Sequence, residues 1–257
     1  MSTQRRVIIG VIILLILCAG AAWYWQSYIT GSVKGVMSNT TWEFTGTTWK
    51  ANGTAPTCPT GTLLRSPVDV STVESMLYPG QVRGGDYKPH GGFRFKNTTK
   101  KVTVRAPMDA SLTRASRYIE IGEVQYLLEF VNPCGIMYRF DHVYTLSPAM
   151  AQAVSSLPQP KKDDSRTTFI NPAVSVKAGD IIATVVGFPK SKNIGFDWGV
   201  YDLRTKNAAS KNAAWAASHG AELAQHGVCW FTLVAPSDTK KIKALPAAGG
   251  KTSDYCK

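Results

Sequence analysis

Between Tyr87 and Val143 short apolar runs, several alternating with polar residues, are broken by Gly, Pro and Asn. That alternation is the period of strands, whose side chains alternate between two faces. Lys101–Ala106 alternates polar and apolar, Ser116–Ile121 is a short run, and Val124–Val131 and Ile136–Val143 flank Asn132, Pro133, Cys134 and Gly135 as a hairpin would. Val174–Gly187 reads as a strand, a turn over Lys177–Asp180 and a second strand, and Gly227–Val234 as a final one. Sheet strands are predicted at Gly92–Lys96, Val124–Val131, Ile136–Val143, Ile181–Val186 and Ile194–Tyr201. Helices are predicted at three places. After Pro67, Val70, Val73 and Leu77 share a helical face; Ser147–Pro148 opens a helix towards Leu157; and an Ala-rich stretch runs from Asn207 to Gln225. The fold class is mostly β and antiparallel.

The N-terminus breaks this pattern. Arg5 and Arg6 precede an unbroken apolar run from Val7 to Ala22, closed by Trp23, Tyr24 and Trp25. A helix over these residues is roughly 28 Å long, close to the hydrocarbon thickness of a bilayer. The basic flank places the N-terminus in the cytoplasm, and the aromatic trio suits the outer interface. A cleaved signal peptide is the rival reading, but its apolar region is usually shorter and no small-x-small cleavage site precedes the aromatics. The organisation expected is a cytoplasmic tip (1–6), a single-pass transmembrane anchor (7–25), a polar stalk (26–61) with a short strand near Thr41–Phe44, an extracytoplasmic β domain (62–235) with a helical insertion near 207–225, and a basic tail (236–257).

Charge and cysteine usage agree with an exported domain. Only 18% of the 257 residues are charged, yet Lys and Arg number 29 against 17 Asp and Glu, a formal net charge of +12. The lysines are scattered through predicted loops, which reads either as a solvated face or, outside the membrane, as attraction to an anionic partner such as a cell-wall polymer or lipid headgroups. Nucleic acid is disfavoured, because there is no basic helix and no RNA-binding strand signature. Cys58, Cys134, Cys229 and Cys256 lie beyond the apolar run with no close pair. That spacing offers no half of a zinc site and implies two disulfides, with three connectivities open. Cys134–Cys229 with Cys58–Cys256 is favoured, since Cys134 sits at a hairpin tip, Cys229 begins a strand and the other two flank the domain.

Two aromatic segments broken by glycine carry the candidate chemistry. In Tyr87–Phe95, strand alternation puts His90, Gly92 and Arg94 on one face and Phe93 and Phe95 on the other. In Gly195–Tyr201, Gly195, Asp197 and Gly199 oppose Phe196, Trp198 and Val200. Functional groups beside residues without side chains leave room for a ligand or another backbone. His142 follows Tyr138 and Phe140 on one strand face. Asp141 and Asp202 fall on the faces opposite His142 and Asp197 and are set aside. His219 and His226 read as solvated.

The order of these segments, HGGFRF, VRAPMDASL, YRFDHV, VSVKAGDIIATVVG and GFDWGVYD, resembles the lysostaphin-like (LytM-type) zinc endopeptidases of cell walls over about residues 80–205. The resemblance implies a duplicated β core of the barrel-sandwich-hybrid type. His90 stands at the family's first zinc ligand. Arg94 stands where the family has an Asp ligand. Gly195 and Asp197 replace a His-x-His pair whose second member is a ligand, and His142 matches a catalytic His. A guanidinium stays protonated and cannot ligate a metal. The resemblance therefore implies a groove lined by His90, Arg94, His142 and Asp197, with Arg94 and Asp197 as a bidentate pair and no cofactor. The function expected is non-catalytic binding of a cell-envelope polymer or protein. The alternatives are a peptidoglycan endopeptidase with zinc on His90 and Asp197 and His142 catalytic, or a purely structural envelope domain.

Overall fold

The computed structural model describes residues 40–60 and 63–256. In chain order the strands are β1 (Thr41–Phe44), β2 (Trp49–Asn52), β3 (Ser75–Leu77), β4 (Gln81–Arg83), β5 (Asp86–Lys88), β6 (Gly91–Arg94), β7 (Val104–Arg105), β8 (Ala110–Glu120), β9 (Glu123–Val131) and β10 (Ile136–Leu146). Helix α1 (Pro148–Ala153) precedes β11 (Lys161–Lys162), β12 (Thr168–Val176), β13 (Ile181–Val186) and β14 (Gly195–Asp202), and α2 (Ala213–Ser218) and α3 (Pro236–Ala244) follow. The chain is thus mostly β and antiparallel. Each predicted sheet strand corresponds to an observed one within a few residues, because runs of alternating apolar residues have a face to bury only in a sheet.

The main sheet runs β11-β8-β9-β10-β14-β6-β3, with β12 also beside β8, and β13 beside β10 and β7. β10 is the pivot. Through Asp141 it pairs with β14, and from Val143 onward with β13. The register against β9 shifts between Phe140 and Val143, and His142 there has a φ of +58°. The change of partner is therefore made by a bulge, the usual device for bending a strand and re-aiming its side chains.

One face of the sheet is the core. Phe93, Phe130, Phe140, Phe196 and Trp198 are fully buried on it. Trp230 closes over them, 4.4 Å from Trp198 and 5.2 Å from Phe93 between ring centroids. Burial of each such ring stabilises by about 2–3 kcal/mol. Trp230 lies in a 3-10 turn, Trp230–Thr232, rather than in the strand expected over 227–234. A turn lets adjacent Trp230 and Phe231 both face inward, where a strand would have turned one away. The segment after Pro67 differs too: a single 3-10 turn, Val70–Thr72, capped by Asp69, leads directly into β3.

The second face is apolar at one end. Met137, Tyr201 and Leu203 lie under the β1–β2 hairpin, whose Trp49 donates to the Glu222 carbonyl at 2.7 Å and whose Trp42 donates to the Pro133 carbonyl at 3.0 Å. Within the segment read as a stalk, residues 41–52 are thus a hairpin docked on the sheet. The tail after 235 contains α3, and Pro246–Ala248 lies along the outer edge of β3.

Two disulfides are present, with a different pairing from the one favoured above. Cys58 joins Cys134, with Cα atoms 5.1 Å apart, and Cys229 joins Cys256 at 5.0 Å. The hairpin tip carrying Cys134 meets the N-terminal approach, while the tail folds back beside the Trp230 turn. Flanking position in sequence did not bring Cys58 and Cys256 together. The apolar run Val7–Trp25 lies outside the described residues. Among the described residues no helix is long and apolar enough to cross a membrane.

Candidate functional site

The site grows from three neighbouring strands, β6, β14 and β10, on the second face. Gly92 pairs with Asp197 and Gly195 with Arg94 across the β6–β14 ladder, and Asp197 pairs with Asp141 across β14–β10. The glycines are needed because side chains, and at Gly92 a backbone carbonyl, lie over them. A Cβ on Gly195 would stand 2.5 Å from Arg94 Cδ and 2.7 Å from its Nη1. One on Gly92 would stand 2.5 Å from the Phe196 carbonyl oxygen and 3.0 Å from Asp197 Oδ1. A Cβ on Gly199 would collide with the Tyr201 hydroxyl. The space these residues leave is taken by the chain's own Arg94, Asp197 and Tyr201.

Asp197 is the hub. Its Oδ2 accepts from His90 Nε2 at 3.0 Å, and its Oδ1 accepts from Arg94 Nη2 at 3.1 Å. His142 Nε2 stands 3.7 Å from the same Oδ2, beyond hydrogen-bond reach. All four sequence candidates therefore meet at one carboxylate. The Arg94 pair is not the bidentate fork expected, because His90 holds the second oxygen; Arg94 Nη1 turns instead to the Phe93 and Phe196 carbonyls at 3.3 and 3.4 Å. Arg83, from the β4–β5 hairpin, donates to the His90 carbonyl at 2.9 Å and fixes that backbone from behind.

Asp141, set aside by strict alternation, belongs to the cluster. It accepts from Arg139 Nη2 at 3.0 Å, from Tyr118 OH at 2.6 Å and from the His142 amide at 2.8 Å. The bulge explains the miss: positive φ at His142 swings its ring to the side on which Asp141 already points. The Tyr118 proton is committed to Asp141. His142 Nδ1 lies 3.3 Å from the Tyr118 oxygen and 3.4 Å from Glu120 Oε2, and its Nε2 faces Asp197 Oδ2. Arg139 and Glu129 extend the network along the sheet; Glu129 Oε2 lies 3.4 Å from Arg114 Nε as an ion pair without hydrogen-bond geometry. Apart from the bulge itself, the sequence signal for Arg139 was its spacing two residues from Asp141 on one strand.

Electrostatics separates these groups. Burial, the largest influence on Asp197, pushes its carboxyl up, but His90, Arg94 and His142 together outweigh it and hold the group well below the usual carboxylate range. Asp141 is also held low, by His142, Arg139 and Tyr118 against burial. Burial draws the His90 pKa down more than Asp197 raises it. Neutral His90 spends its one proton on Asp197, and its Nδ1 lone pair is buried without a partner. Burial and Asp141 push the Tyr118 phenol up, which keeps it a donor.

The zinc of the resembling peptidases does not fit these residues. Such an ion needs three protein ligands with lone pairs aimed at one point. Here His90 Nε2 and Asp197 Oδ2 face each other as donor and acceptor, and a permanently charged guanidinium sits on the other carboxylate oxygen. Among the described residues no group of three or more His, Cys, Asp or Glu side chains is arranged to hold a metal ion.

Beside the hub lies a groove of about 290 Å³. Its inner wall is His90, Asp197, Asp141 and His142, and its rim includes Glu120, Lys88, Asp163 and Ser165. His219 and His226 lie elsewhere: His219 stacks on Trp215, and His226 is buried against the Asp202 carbonyl rather than solvated. Asp202 pairs with Arg204, outside the groove. Comparison with protein-family models, curated proteins and solved structures finds no match to this chain.

Proposed function

We propose that the chain is a membrane-anchored, extracytoplasmic domain built on the plan of the lysostaphin-like peptidases, which holds a cell-wall polymer in its groove without cutting it. The observation that carries this reading is the Arg94–Asp197 contact of 3.1 Å. It sets a fixed cation where a hydrolytic site of that plan requires an ion with an open position for water. What remains is an open, polar groove of about 290 Å³ on a rigid sheet, suited to gripping a polar group. The anchor is the apolar run Val7–Trp25, and the surface excess of lysine brings the domain to an anionic wall.

The test uses the full-length chain in detergent with purified peptidoglycan. The expected result is co-sedimentation with the polymer and no release of soluble fragments, with or without added zinc. Metal-dependent release of fragments contradicts the reading. A second reading, a purely structural domain, draws on the filling of the spaces beside Gly92, Gly195 and Gly199 by the chain's own side chains. Absence of co-sedimentation with any wall fraction favours it.

A further inference from the structure

The loop between β11 and β12 borders two cavities. Asp163 and Ser165 line the groove already described, whereas Asp164, Arg166 and Thr167 line a second cavity of about 290 Å³. No residue lines both. Ser116 and Arg117 of β8, residues 157–159 and Lys161 of β11 supply the rest of the second wall, together with Thr168. This cavity lies where β8 changes its edge partner. Ala115 pairs with Thr168 of β12 and Tyr118 pairs with Lys161 of β11, so Ser116 and Arg117 fall between the two strands.

The charge of this cavity is positive and uncompensated. Arg166 is spent, because its Nε and Nη2 grip the two oxygens of Asp164 at 2.7 and 2.6 Å as a neutral pair. Arg117 is anchored but not neutralised. Its Nη2 donates to the Leu157 and Pro158 carbonyls, each at 3.0 Å, and its Nε to Pro158 at 3.3 Å. Carbonyls fix a guanidinium in place without bringing a negative charge, and Nη1 is left unused. The Lys161 ammonium makes no ion pair or hydrogen bond among the described residues. Arg117 and Lys161 therefore leave the wall with two positive charges.

Hydroxyl groups add donors. Ser116 is only 3% exposed, and its hydroxyl has no hydrogen-bond partner among the described residues. Thr167 Oγ1 accepts from Arg114 Nε at 2.9 Å, which leaves its own proton free. The charged and carbonyl acceptors of the wall are the groups already engaged, by Arg166 on Asp164 and by Arg117 on residues 157 and 158. Gln159 can serve either way. Polar groups kept from water without a partner cost free energy that a complementary ligand recovers.

We propose that this cavity binds a phosphate monoester, with Lys161 and Arg117 Nη1 meeting its charge and the Ser116 and Thr167 hydroxyls meeting its oxygens. Such a group carries about −1.5 to −2 charges at neutral pH and three strong acceptor oxygens, the complement of this wall. The site stands apart from the groove and does not depend on what the groove holds. It gives phosphate a fixed address, where scattered lysines give only long-range attraction.

The monoester can stand on a sugar or on a lipid. The full-length chain in detergent is therefore titrated calorimetrically with glucose 6-phosphate and with a short-chain phosphatidic acid. Glucose and a phosphatidylcholine of the same chain length serve as the counterparts without a monoester. The expected result is saturable binding of one phosphate probe per chain and no binding of either counterpart. The tighter probe identifies the source, and equal binding assigns the phosphate group alone. Lys161→Gln and Arg117→Gln should each weaken binding about tenfold, and Ser116→Ala about threefold. Lys162→Gln and Lys240→Gln, exposed and outside this wall, should leave it unchanged. Arg117 also ties down residues 157 and 158, so its variant is read beside its unfolding midpoint. Lys161 is exposed and ties nothing down, so Lys161→Gln decides alone if the Arg117 variant unfolds. Failure of both phosphate probes to bind overturns the inference. So does a loss that Lys162→Gln shares equally with Lys161→Gln, which assigns the binding to general surface charge.

Discussion

The two faces of the central sheet are made by the same strands, often by adjacent residues, and are held together by different forces. Phe196 and Trp198 of β14 point into a core of rings, where shape and apolar area supply the stabilisation. Asp197, between them, points into a network of ions in which every contact is bought by desolvation. The first face tolerates a change of chemistry if volume is kept. The second tolerates little added volume even at its glycines, whose space is already filled, and a change of charge hardly at all. Stability belongs mostly to the first face and the proposed binding to the second.

This contrast can be broken by substitution. Phe196→Ala, on the core face, should cost about 4 kcal/mol in denaturant unfolding, because a fully buried ring leaves a cavity. Asp197→Ala on the other face should cost about 3 kcal/mol, because it strands Arg94 and the buried His90 without their shared acceptor. If Asp197→Ala is neutral, the ionic face contributes nothing and the contrast fails. Gly195→Ala should cost about 1–2 kcal/mol, since its Cβ evicts the Arg94 side chain from the strand surface. Combining it with Arg94→Ala should recover part of that loss, and strict additivity would show that Arg94 does not lie over Gly195.

Acidification sharpens the same comparison. The folded pKa of His90 is lowered, so the unfolded chain takes up that proton first and stability falls as pH drops below about 6.5. Asp197 and Asp141 are held low when folded, so their contribution is complete above about pH 4 and is lost as pH falls further. Unfolding free energy measured from pH 8 to 3 should therefore decline in two stages, and His90→Gln should remove the upper one. The core face predicts no such dependence.

Much of this division was legible in the sequence. Alternation of Phe93, Phe196 and Trp198 with Arg94 and Asp197 named the faces and the strands, because a buried sheet face leaves period-two spacing as its trace. His90, Arg94, His142 and Asp197 could be joined through likeness to a known strand order. Asp141 could not, since alternation holds only where the ladder is regular and a bulge at His142 is invisible in residue types. The purpose of Gly195 and Gly199 was half legible: room was evident, but what fills it depends on cross-strand register. The pairing of Cys58 with Cys134 depends on where the N-terminal approach docks, which no local pattern encodes.

If Arg94 and His90 rather than a metal ion hold Asp197, the purified chain carries no zinc at this site. Native mass spectrometry of the full-length chain, purified without chelator from zinc-supplemented cells, tests it directly. The expected result is the mass of the metal-free chain and an unfolding midpoint unchanged by a chelator. A mass showing one tightly bound metal per chain, absent from His90→Ala, would contradict it.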